Sequence, residues 1–216
     1  EGFLLKVLGV GNKYRLAVLG SDKRGTAYGL MTLVRMMGVS PWQWWADCEP
    51  TPREVFQLEV DFERLEVPSV AYRGIFINDE DWGLNPWSSN NYEPKMRKRN
   101  GEDSTPRNGE IGPYTHERIF ELLLRLRANI FWPAMHECTV PFYLIKGNKE
   151  VADKYGILIS TSHCEPMMRN TNGEWRKAGL GDYNFVTNAK QVVHFWEDRV
   201  KELSGSDCLY TLGMRG

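Results

Sequence analysis

AYRGIFIND (Ala71–Asp79) is a short apolar, β-like run that stops abruptly in polar and ionisable residues. Three later stretches repeat the pattern: NIFWPAMH (Asn129–His136), ILISTSHCE (Ile157–Glu165) and CLYTLGMRG (Cys208–Gly216). A helix-like stretch separates each from the next. Thr115 or Pro113 opens an amphipathic helix through Ile119, Leu122, Leu123 and Leu126 to Arg127. A short helix falls near Lys149–Tyr155, and Asn188 caps one carrying Val192, Val193, Trp196 and Val200. Repeated strand–helix units build parallel sheets, and catalytic groups collect at the carboxyl ends of such strands. Asn78, Asp79, His136, His163, Glu165 and Arg215 are therefore expected to converge on one face.

Upstream, Leu4–Leu8 and Tyr14–Leu19 read as strands around a Gly9–Gly11–Asn12 turn. Ser21 or Asp22 caps a helix from Arg24 to Met37, with Leu30, Leu33, Val34 and Met37 on its apolar face and Gly38 at its end. Glu54–Val60 reads as one more strand inside a Pro-rich, acidic connection. A domain boundary is expected near Pro68, giving units 1–67 and 68–216. The polar stretch of about 35 residues after Asp79 reads as a long functional loop. An eight-unit barrel typically needs about 250 residues. The chain beyond Pro68 suffices for half of one, so the sequence reads as a fragment.

Composition excludes more than it assigns. With 216 residues, net charge −1, 42% hydrophobic and 25% charged residues, the chain is ordinary for a globular protein. That charge balance gives no support for a nucleic-acid partner, and no apolar run has the length a membrane helix needs. Cys48, Cys138, Cys164 and Cys208 lie far apart, which predicts reduced, mostly buried thiols and no zinc site. No cofactor is expected: GVGNKYRLAVLG flanks a strand and is not a nucleotide loop, and Asp79, His163 and Glu165 form no close-spaced metal motif. Eight Trp and nine Tyr are many for this length, with WQWW at Trp42–Trp45 and Trp82 and Trp87 flanking the first strand end. Indole faces stack on sugar rings, and they also pack cores and interfaces.

Asp79 sits in the densest carboxylate cluster, Asn78-Asp79-Glu80-Asp81. A carboxylate at a strand end serves as general acid or base, or accepts from a hydroxyl. Glu80 and Asp81 read as a solvated loop or cap. His163 offers a donor near neutral pH, and Arg215 a planar two-pronged anchor for a carboxylate. His136 alone is a weak signal. His116 and His194 lie in helical stretches and read as surface residues.

These stretches resemble glycoside hydrolase family 115, the xylan α-1,2-glucuronidases. The resemblance rests on SDKRGTAYGL (Ser21–Leu30), SPWQWWAD (Ser40–Asp47), YRGIFINDED (Tyr72–Asp81), IFWPAMH (Ile130–His136), ADKYGILISTSHCEPMMRN (Ala152–Asn170) and YTLGMRG (Tyr210–Gly216). It implies the end of an α/β accessory domain up to about Val67, followed by the first half of a catalytic (β/α)8 (TIM) barrel. It implies inverting hydrolysis that removes (4-O-methyl)glucuronic acid from glucuronoxylan, with no cofactor. Asn78 and Asp79 fall on active-site positions, with Asp79 the catalytic one. His163 and Arg215 fall on uronate-binding positions. His136 stands where other members can carry Trp, and Asp81-Trp82-Gly83 occupies a segment that varies. Further essential carboxylates of the family follow the GMRG segment, so the isolated chain is expected to be inactive. The expected partner is glucuronoxylan or its oligosaccharides, with a homodimeric intact parent, neither nucleic acid nor membrane, and secretion or periplasmic export. A hexosaminidase-like barrel glycosidase and a noncatalytic carbohydrate-binding module remain the alternatives.

Overall fold

The structure, a computed structural model, describes residues 1–78, 80–163 and 165–213. Asp79, Cys164 and Arg215, singled out above, lie outside the described residues. The chain divides into two compact units, Glu1–Arg73 with Glu121–Asn129, and Gly74–Phe120 with Ile130–Gly216.

In the first unit β1 (Phe3–Val10) and β2 (Lys13–Gly20) form an antiparallel hairpin, with Phe3 opposite Gly20 and Val10 opposite Lys13. Gly11 takes the positive φ of 61° that so tight a turn requires. β3 (Glu63–Glu66) pairs with the other edge of β1, giving the order β2-β1-β3. It falls outside Glu54–Val60, where no strand forms. Three of the four apolar residues there, Val55, Phe56 and Val60, are exposed and only Leu58 is half-buried, so the run has no continuous face to bury.

Helix α1 (Lys23–Met36) is capped by Asp22, whose carboxylate accepts from the Gly25 N–H. Its buried face is Gly25, Tyr28, Gly29 and Thr32, whereas Leu30 is 48% exposed and Met37 also faces solvent. The apolar period gave the wrong face because the helix meets the sheet through glycines. A Cβ on Gly29 would come within 2.8 Å of Val18, and one on Gly25 within 2.3 Å of the Gly2 carbonyl oxygen. The Tyr28 hydroxyl donates to the Ala128 carbonyl at 3.0 Å, and Asn129 Nδ2 donates to the Glu1 carboxylate at 2.8 Å. These bonds tie the segment 121–129 into this unit.

The second unit holds a four-stranded parallel sheet in the order β4-β5-β6-β7: Gly74–Phe76, Ile130–Trp132, Leu158–Ser160 and Cys208–Leu209. All four lie inside the stretches that opened the sequence reading. The α/β class therefore stands, as one parallel and one antiparallel sheet. Spatial order follows chain order, as helical crossovers of one hand require. Gly74 is obligatory: a Cβ there would lie 1.8 Å from the Ile130 carbonyl oxygen.

The polar stretch after Asp79 is largely helical. A π turn (Glu80–Leu84), α2 (Asn85–Trp87), a second π turn (Ser88–Tyr92) and α3 (Glu93–Arg99) follow without a break. It looked like a loop because its polar residues bond inward. The Ser88 hydroxyl lies 2.7 Å from that of Thr115. Glu93 Oε1 accepts from the Thr115 N–H (2.6 Å) and hydroxyl (2.7 Å) at the start of α4 (Pro113–Arg125). Arg97 pairs with Glu110 at 3.1 Å. His116, expected at the surface, is buried: its Nδ1–H donates to the Gly112 carbonyl (3.0 Å), and Phe120, Phe131 and Phe142 surround the ring. Burial pushes it down to about 4, so it is neutral. His194 is exposed, as expected.

Helix α5 (Asn148–Tyr155) ends in left-handed Gly156. After the turn Thr171–Trp175 and the short α6 (Arg176–Ala178), α7 (Phe185–Glu202) starts at the Asn184 cap. Asn188, expected as that cap, is instead a kink inside the helix at φ −136°, and its side chain donates to the Leu180 carbonyl. Of the described cysteines, Cys138 is exposed, and Cys48 and Cys208 are half-buried, so the expected buried thiols are not seen. Among the described residues no helix is long and apolar enough to cross a membrane, and no cluster of His, Cys, Asp and Glu could hold a metal.

Candidate functional site

Parallel strands put their carboxyl ends at one edge of the sheet, and the residues that follow form the candidate site. Asn78 comes two residues after β4, His136 four after β5 and His163 three after β6. Asn78 and His163 are exposed and His136 is half-buried, so all three can reach a ligand. Asp79 and Arg215 bracket this set in the sequence but lie outside the described residues.

Hydrogen bonds join these ends through Glu165, which the strand pattern marked, and through Glu80 and Asn170, which it did not. Glu80, wholly buried, follows β4 and accepts at Oε1 from the Met135 (2.8 Å) and His136 (2.9 Å) N–H groups. A carboxylate facing two amides fixes the turn after β5 to the end of β4. Met135 turns its carbonyl the other way, to Asn170 Nδ2 at 3.0 Å. The same nitrogen donates to Glu165 Oε1 at 3.0 Å. The Thr161 hydroxyl donates to the Glu165 carbonyl (2.7 Å), that of Thr211 to the Thr161 carbonyl (2.7 Å), and the Met167 N–H to the Thr211 carbonyl (2.8 Å). The chain of contacts thus runs from β4 through β5 and β6 to the segment after β7.

Glu165 is the electrostatic anomaly of this network. Burial pushes its carboxyl up to about 7. Hydrogen bonds from Asn170 and the Ser162 backbone oppose the rise, and the charges of Glu174 and Glu80 add to it. Glu174 is held differently. Its Oε2 accepts from Arg169 (2.7 Å) and Arg199 (2.6 Å), and its Oε1 from the Asn170 N–H (3.1 Å). Arg199 is itself buried over the Tyr143 ring and donates to the Met168 carbonyl. Met167 and Met168, at φ 53° and 60°, occupy the left-handed region that non-glycine residues rarely adopt. Strain of that kind persists where the surroundings over-determine it, as these bonds do here.

At the rim, Asp81 Oδ2 lies 2.9 Å from His136 Nδ1, and its other oxygen takes the Cys138 thiol. Those bonds hold Asp81 below the usual carboxylate range, Cys138 contributing most. Burial, helped by Asp81, raises the Cys138 thiol, which rules against a thiolate nucleophile at neutral pH. Trp82, the next residue in sequence after Asp81, is exposed. The described groups at this edge can donate to and accept from hydroxyls.

A family model for glycosyl hydrolase family 115 matches residues 66–216. A solved structure described as a family GH115 4-O-methyl-α-glucuronidase, BtGH115A, with specificity for decorated arabinogalactans, is similar over the whole chain. Identity is 58% and the TM-score 0.91, covering 100% of this chain and 27% of that one. The chain thus spans about a quarter of the length of the structure it matches. No curated protein matches it.

Proposed function

The chain belongs to glycosyl hydrolase family 115, and from that premise we propose that it is part of an enzyme releasing (4-O-methyl)glucuronic acid from a polysaccharide by inverting acid/base hydrolysis. The carrying observation is the 58% identity along the entire chain to a 4-O-methyl-α-glucuronidase. The substrate class is a glucuronate-decorated polysaccharide: glucuronoxylan on the family resemblance, and decorated arabinogalactan on that relative. Such polymers lie outside cells, which supports secretion or periplasmic export.

The sheet β4-β5-β6-β7 is read as the first half of a (β/α)8 barrel, because its strands are parallel and adjacent in chain order with helices between them. Residues 1–67 are then the end of an accessory α/β domain and 68–216 the start of the barrel. Asp79 serves as a catalytic carboxylate at the first strand end. Asn78, His163 and Arg215 hold the uronic acid, and His136 the neighbouring position. An inverting pair needs carboxyl groups roughly 6.5–9.5 Å apart, with water between them. We assign the second carboxylate to the portion of the full-length enzyme that follows Gly216.

In the full-length protein, Asp79→Asn is expected to cut glucuronic acid release from glucuronoxylan by at least roughly 100-fold. A near wild-type rate would demote Asp79 to a structural residue. No uronic acid release by the wild-type protein on any glucuronate-decorated polymer would refute the assignment and favour a binding module.

A further inference from the structure

We propose that Trp82 is a polysaccharide-binding platform, stacking a sugar ring of the main chain that bears the uronic acid. The proposal rests on the glucuronidase reading above and deepens it by naming a subsite residue. Trp82 is 86% exposed. An exposed indole offers a flat apolar face on which the C–H face of a sugar ring can stack. Other tryptophans of this unit are engaged: Trp175 packs with Phe195 at 5.1 Å, Trp87 stacks on Tyr92 at 4.8 Å, and Trp132 meets Phe76 edge-on at 5.7 Å.

Its mounting is rigid. The π turn Glu80–Leu84 begins at Glu80, whose buried carboxylate is clamped by two backbone amides of the turn after β5. Asn85, just past the turn, donates to the Cys138 carbonyl at 3.0 Å. The backbone turn that carries Trp82 is therefore anchored on both sides, so the turn itself need not be ordered at binding. Its position is the second argument: it follows the Asn78–Asp79 strand end by three residues. The third is its company. Asp81, its sequence neighbour, is exposed and paired with His136, so hydroxyl-binding groups stand beside an apolar face. A sugar ring offers that same combination, C–H groups on its faces and hydroxyls at its edge. Gly83 follows with nothing within 4 Å of where a Cβ would stand, leaving the approach open.

The test compares full-length wild-type enzyme with Trp82→Ala and Trp82→Phe. Each is assayed on glucuronoxylan, on decorated arabinogalactan, and on a small aryl glucuronide that lacks any main-chain sugar. Trp82→Ala is expected to raise KM on the better polymer by about 10-fold or more, with kcat within about threefold of wild type. The aryl glucuronide should be turned over at the wild-type rate, and Trp82→Phe should recover most of the polymer affinity. Because the side chain is exposed, a folding defect is not the expected cause, and unchanged aryl glucuronide turnover verifies this. Unchanged KM on both polymers overturns the proposal, as does an equal loss on polymer and aryl glucuronide. If the wild-type enzyme acts on none of the three, the glucuronidase reading itself fails. That outcome is distinct from failure of the platform.

Discussion

Asn170→Ala probes the bridge between the β5 and β6 ends. Asn170 is buried, and its side chain makes three hydrogen bonds. Nδ2 donates to the Met135 carbonyl and to Glu165 Oε1, each at 3.0 Å, and Oδ1 accepts from the Gly173 N–H at 2.7 Å, capping the turn Thr171–Trp175. Alanine leaves Met135 O and Glu165 Oε1 short of a partner in the interior, at roughly 1–3 kcal/mol each. Losing the cap adds about 1 kcal/mol. Because neighbouring terms are not additive, a net loss of about 3 kcal/mol is the working figure. At 1.4 kcal/mol per decade that is about a 100-fold change in a local opening equilibrium.

Hydrogen exchange on the full-length protein reads this directly. The informative amides are Glu165 N–H, bonded to the Ser162 carbonyl, and Met135 N–H, bonded to Glu80, since neither touches Asn170. Both should exchange about 100-fold faster in Asn170→Ala. Asn170→Asp supplies a control with a sign. It keeps the cap acceptor but turns a carboxylate toward the Met135 carbonyl and Glu165, so it should be worse at pH 8 than at pH 5. Exchange within threefold of wild type in the alanine variant would refute the bridge, and pH-independence of the aspartate variant would refute its electrostatics.

Glu165, raised by burial from its ordinary 4.5 to about 7, favours folding fully below 4.5 and loses that contribution as pH climbs through 7. The contribution is roughly 3 kcal/mol, and Glu165→Gln should flatten the alkaline fall of exchange protection around Ser162–Asn170. His116 has the opposite sign: lowered by burial from 6.5 to about 4, it gives stability that is complete above 6.5 and lost toward pH 4. His116→Phe should remove that acid dependence, read from exchange of Phe120 and Phe131 amides between pH 7 and 4. Gly74→Ala should open the β4–β5 pair, since its Cβ would overlap the Ile130 carbonyl; loss of protection at Ile77, whose N–H donates to Trp132, is the readout.

The strands were legible because apolar runs ending in polar residues carry their own boundaries, and β4 to β7 all fall inside the stretches so marked. Helix α1 shows what periodicity misses. Leu30 and Met37 looked like a core stripe, yet the helix docks through Gly25 and Gly29, residues with no hydropathy to read. Residues 80–99 failed for a related reason. Composition counts Ser88, Glu93 and Arg97 as solvent-facing, whereas each is buried and bonded to a partner 13 to 27 residues on. His116 followed the same path, its polar atom satisfied by a carbonyl one helical turn back.

The same limit applies within the site. Glu80 and Asp81 are adjacent carboxylates and nothing in their types separates them. Their backbone context does: Glu80 meets two amides of the β5 turn and is buried, while Asp81 stays at the rim with His136 and Cys138. Trp82 comes next and faces solvent. One three-residue step thus yields an anchor, a polar edge and an apolar platform, and the second and third hold position because the first cannot move. On the platform proposal, variation at Trp82 alters how a polysaccharide is held without disturbing the strand end, whereas Asp81 is bonded to His136, one of the two residues whose amides Glu80 clamps.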